Sequence, residues 1–218
     1  MRRLPAGAGW QLASSALPLW LSLLLWLSLA ACAPALNWRD VHPEQAEGLR
    51  ATFPCKPDVA ERQLRLPGLA EPVTVRLLSC QTDGRTWALS HLTVADAGQV
   101  AVALRALAAA TRGNLEAASA GGQAAVQATE LPPVTVPGMT PQPDSRAWRF
   151  DTRPAGPKAG SPGEAGASSA PPTTVTAWHF SHGLTVFQAS VWQREAGTTA
   201  HSGPQAIVTF AQGFHFPG

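Results

Sequence analysis

The chain has 218 residues, of which only 14% are charged, and a formal net charge of +2. Average soluble domains carry about 25% charged residues, and no basic block stands out here, which argues against a nucleic-acid-binding protein. The 19 glycines and 20 prolines require much turn and loop, and the length fits one domain plus export and linker sequence.

The first 31 residues do not read as part of a globular fold. Arg2 and Arg3 form a short positive region, and residues 17–31 (LPLWLSLLLWLSLAA) are almost wholly apolar. That order is the n-region and h-region of a secretory signal. An uncleaved membrane anchor is the alternative, because residues 16–36 carry no charge and match the ~20 residues needed to span a bilayer. Pro18 and Pro34 interrupt that window. Either way the remainder is expected outside the cytoplasm.

The apolar run ends in Leu29-Ala30-Ala31-Cys32. These four positions resemble the lipobox of bacterial lipoproteins. The resemblance implies a signal peptide over residues 1–31 and a mature chain that begins at a diacylglyceryl-modified, N-acylated Cys32. Two or three acyl chains, at about 0.8 kcal/mol per buried CH₂, suffice for stable anchoring. Ala33, rather than Asp, follows the cysteine, which resembles the outer-membrane class of Gram-negative lipoproteins facing the periplasm; inner-membrane retention is the alternative. The membrane, reached through the lipid, is the expected partner, together with an envelope protein. Without Arg2 and Arg3, 14 basic residues balance 14 acidic ones, so charge contributes little to membrane attachment.

Cys55 and Cys80 remain. An even pair in an oxidising compartment, without C-x-x-C spacing, is expected to form a structural disulfide.

Residues 32–46 are expected to form a tether and a first strand, with Trp38 packed inward. A single domain then covers residues 47–218. Residues 49–53 form a second strand stopped by Pro54, and residues 57–69 read as connecting sequence without a pattern. Residues 72–80 and 85–94 alternate with period two about Thr82-Asp83-Gly84, a hairpin signal. Asp96 with Gln99 resembles a capping box. Behind it Val100, Leu104, Leu107, Thr111 and Leu115 recur at helical spacing, so the long helix is placed at 97–119. Strands follow at 123–131 and 145–152. Residues 153–172 are almost all Pro, Ala, Gly and Ser, a composition read as a flexible loop. A last hairpin covers 173–182 and 183–193, and a short helix covers 203–213.

That order predicts an α+β fold with a mainly antiparallel sheet, one long helix and a short C-terminal helix. Phe53-Pro54-Cys55-Lys56-Pro57, the hairpin and long Ala/Leu helix after it, and Thr209-Phe210-Ala211 in the last helix are similar to the PsbP-like group. The resemblance implies an α-β-α sandwich with accessory or assembly roles and no catalytic site.

Chemistry is sparse along the chain. No Gly-x-Ser-x-Gly, Ser-x-x-Lys or His-Glu-x-x-His motif occurs. Ser90 and His91 are adjacent, so alternation sends them to opposite faces. His179 and His182 are the one tight pair of candidate metal ligands, and a site near them, metal-binding or hydrolytic, is the alternative to a non-catalytic module. Strand alternation separates the two, and no third ligand lies nearby in sequence. Among Trp38, Trp87, Trp148, Trp178 and Trp192, the last is the candidate for an exposed binding aromatic; the others are expected to fill the core. No cofactor is expected.

Overall fold

The computed structural model describes residues 35–118, 125–153, 171–194 and 202–217. The segment read as a signal peptide, Cys32 and nearly all of the stretch 153–172 read as a loop lie outside the described residues. The elements in chain order are β1 (Arg39–Val41), β2 (Arg50–Phe53), β3 (Asp58–Leu64), β4 (Val73–Thr82), β5 (Arg85–Thr93), α1 (Gly98–Ala118), β6 (Ala125–Glu130), β7 (Ala147–Arg153), β8 (Thr173–His182), β9 (Thr185–Arg194), α2 (Pro204–Gln212) and β10 (Phe214–His215). The class is α+β, with every strand pairing antiparallel.

A seven-stranded sheet of order β3-β4-β5-β9-β8-β7-β6 forms the middle layer. Its β4–β5 hairpin turns through Asp83 and Gly84, both in the left-handed region (φ 52° and 68°). Those two positions define a type I′ turn, whose twist matches the flanking strands, and Asn or Asp followed by Gly is the sequence that tolerates it. The turn sets the register: Thr82 opposes Arg85, Cys80 opposes Trp87 and Arg76 opposes His91.

Strand alternation gives the sheet two buried faces. On one, α1 lies across the strands. Its Val100, Leu104 and Leu107 pack on Val75, Leu92, Val94 and Val186. Farther along, Leu115 packs on Val126, Phe150, Val175 and Ala177. Asp96 caps the helix by accepting from the Gln99 N–H at 3.2 Å, while the Gln99 amide oxygen accepts from the Ala95 N–H at 3.3 Å. On the other face, Trp87, Leu89, Phe180, Phe187 and Ala189 meet α2 and a three-stranded sheet of order β1-β2-β10. Phe210 of α2 is 0% exposed at the centre of this layer.

Cys55 and Cys80 form a disulfide with a Cα–Cα distance of 6.0 Å across 25 residues. In the chain-entropy account, a loop of that length contributes about 3.5 kcal/mol by restricting the unfolded chain. The bond ties the end of β2 to the core face of β4, joining the two sheets.

One expectation needs correction. Residues 57–69 are not patternless connection: β3 pairs along its whole length with β4, from Asp58↔Ser79 to Leu64↔Val73. All seven of its residues are exposed, so no face is buried and no alternation marks it. The first strand covers Arg39–Val41, with Trp38 just before it packing edge-to-face on Trp87 at 6.1 Å. The described residues from Ala35 onward belong to one compact unit, which β1 joins through its ladder with β2.

Candidate functional sites

The residues singled out for chemistry sit as follows. His179 and His182 both lie on β8, three positions apart, and project to opposite faces. His179 opposes Gln188 on the α1 side, and its ring Nδ1 lies 3.3 Å from the Arg146 carbonyl. The His182 ring stacks on Phe216 at 4.3 Å on the other side, with its Nδ1 2.7 Å from the Gly138 carbonyl. The strand separates the two rings, so the paired site considered from their spacing is not built; Zn–N bonds of about 2.1 Å leave no room for one ion to reach both. Among the described residues no three His, Cys, Asp or Glu side chains are grouped to hold a metal ion.

Trp192 is half-buried rather than presented to solvent. It packs beside Leu115, Phe150 and Val175, and its indole N–H donates to Ser190 Oγ at 3.1 Å. Ser90 and His91 do project oppositely. Ser90 donates to the Gln188 carbonyl at 3.5 Å on the α1 side. His91 stacks on Phe187 at 5.8 Å on the aromatic side.

His179 is 1% exposed, and among the described residues its Nε2 has no hydrogen-bond partner. Burial lowers its pKa to about 4, opposed only in part by the Arg146 carbonyl and by Gln188. His91 is 3% exposed and moves the same way, through burial first and then the Arg76 charge. A histidine with a depressed folded pKa leaves stability untouched above its unfolded value near 6.5. Below it the unfolded chain takes up the proton first, and stability falls until the folded pKa is passed. At about 1.4 kcal/mol per unit, His179 is expected to remove about 3 kcal/mol between pH 6.5 and about 4. Urea unfolding at neutral and acid pH measures this loss, and His179→Gln is expected to flatten most of the slope.

One constellation was not anticipated. Arg76 and His91 face each other across the β4–β5 ladder, both on the aromatic side of the sheet. The register was readable, since a two-residue turn at Asp83-Gly84 fixes every opposite pair. The ion pairs that hold Arg76 were not: its guanidinium lies 3.0 Å from Glu61 on β3 and 3.6 Å from Glu44 in the 44–48 turn. His91 Nε2 has no hydrogen-bond partner among the described residues. Both residues line a cavity of about 410 Å³ whose wall also includes Gln45, Leu69, Glu71, Val73, Leu92 and Gln99.

The cavity exists because the sheet forks. The β4–β5 ladder ends at Arg76↔His91. Beyond that row β4 continues to Val73 paired only with β3, and β5 continues to Thr93 paired only with β9. Gln45 of the 44–48 turn and residues 69–72 complete the wall.

Comparison with known proteins adds no relative: no protein-family model matches the chain, and neither a curated protein nor a solved structure is significantly similar to it.

Proposed function

We propose that this chain is a lipid-anchored module of the bacterial envelope that binds or assembles with a partner and carries no catalytic activity. The observation that carries the proposal is the apolar run ending in Leu29-Ala30-Ala31-Cys32, which resembles a lipobox. Cys32 takes the lipid, and Ala33 directs the protein to the periplasmic face of the outer membrane. The Cys55–Cys80 disulfide supports an oxidising compartment, where such bonds persist. The α+β class, with the long helix on one face of an antiparallel sheet, is the one that the PsbP-like resemblance implies.

Metabolic labelling tests the reading. In the producing bacterium the wild-type chain is expected to incorporate labelled palmitate and to band with the outer membrane in a density gradient. The Cys32→Ser variant is expected to incorporate none. An unlabelled wild type, or a variant labelled equally well, overturns the proposal.

A further inference from the structure

We propose that the fork between β4 and β5 is a binding site for the C-terminal end of an extended peptide, with Arg76 and His91 receiving its carboxylate. The inference deepens the binding-module reading and rests on it for a role. The Cys32 labelling experiment tests the anchor separately.

Backbone geometry supplies the first reason. In an antiparallel ladder, the N–H and C=O of alternate residues point to the same neighbour. Val94 N–H donates to the Leu184 carbonyl at 3.0 Å, on the β9 side. Odd-numbered residues of β5, including His91 and Thr93, therefore point at β4. The same alternation on β4, counted from Arg76, points Thr74 at β5. Thr74 and Thr93 face each other across the fork beyond the last paired row of the β4–β5 ladder. Two unpaired strand edges facing one gap present the pattern that an added extended segment completes.

Side-chain chemistry supplies the second reason. The closed end of the fork holds His91 Nε2, unpartnered among the described residues on a side chain 3% exposed. Beside it, ion pairs to Glu44 and Glu61 fix the Arg76 guanidinium while occupying two of its nitrogens. A guanidinium has five N–H donors, so donors remain for a carboxylate. Val73, Leu92 and Leu69 line the cavity and suit an aliphatic terminal side chain. The exposed Glu71 at the rim, with Glu44 and Glu61 nearby, disfavours ligands carrying more than one negative charge. A volume of about 410 Å³ lies at the small end of the range of about 300–1,000 Å³ for ligand sites, which fits a chain end and not a folded surface.

The test uses the full-length ¹⁵N-labelled protein in detergent micelles. It is titrated with a pool of N-acetylated tetrapeptides that end in an aliphatic residue with a free carboxylate. A second pool carries C-terminal amides. The free acids are expected to shift the Thr74 and Thr93 amide signals and the His91 ring signals, with at least tenfold weaker response to the amides. Arg76→Gln is expected to weaken binding tenfold or more. Ala70→Trp, at an exposed position of the cavity wall, is expected to block it by filling the mouth while leaving the polar groups in place. No response to the free acids, equal response to the amides, or undiminished binding by both variants overturns the proposal.

Discussion

Replacing Phe210 with alanine is expected to destabilise the protein by about 3–5 kcal/mol, the range for truncating a buried phenylalanine. Phe210 is fully buried and meets Phe53 at 5.4 Å, Trp87 at 5.2 Å and Phe214 at 5.0 Å between ring centroids, each edge-to-face. Those partners come from the three-stranded sheet and from the seven-stranded sheet, so one ring holds two layers together. Each aromatic pair adds about 0.5–1.5 kcal/mol beyond the area it buries. Urea unfolding followed by tryptophan fluorescence measures the loss. A cost below about 1 kcal/mol would show that α2 is not seated in this core.

Arg85→Ala is expected to cost a comparable amount, about 3–5 kcal/mol, because it breaks a buried ion pair together with the hydrogen bonds that Arg85 donates. Arg85 and Asp83 are paired at 3.3 Å with side chains only 5% and 2% exposed. The same Arg85 donates to Ser202 Oγ at 2.7 Å and to the Gln193 amide oxygen at 3.3 Å, and its guanidinium stacks over Trp87. Asp83 in turn accepts from the Ser202 N–H at 2.9 Å and from the Ser202 hydroxyl. The β4–β5 turn is thereby fastened to the segment that leads into α2. Removing both charges is expected to cost less than the sum of the single changes, since the double variant strands no buried charge. Added salt is expected to change these values little, as buried pairs are weakly screened. A purely additive double variant contradicts this account of the pair.

The elements legible in the sequence were those whose two sides differ. The 72–80 and 85–94 hairpin announced itself by alternation around Asp83-Gly84, and α1 by its one-sided stripe with Asp96 and Gln99 at its head; both are found within a few residues of their expected bounds. β3 escaped because DVAERQL is solvated on both faces and held only by its ladder to β4. The disulfide partners followed from parity alone, and the separation of His179 from His182 from strand period. The fork could not be read locally. It depends on β4 staying with β3 while β5 stays with β9, a choice of long-range partners that leaves no local trace. The buried latch at Asp83 is similar: its turn is a local signal, but Ser202 lies 119 residues away.

The central claim is that an exported α+β domain is fixed to a membrane through Cys32. The intact mass of the chain extracted from membranes of the producing bacterium tests it most directly. The account predicts the mass of residues 32–218, with the Cys55–Cys80 disulfide, increased by a diacylglyceryl group and an N-linked acyl chain. A mass that retains Met1, with an unmodified thiol at Cys32, contradicts it.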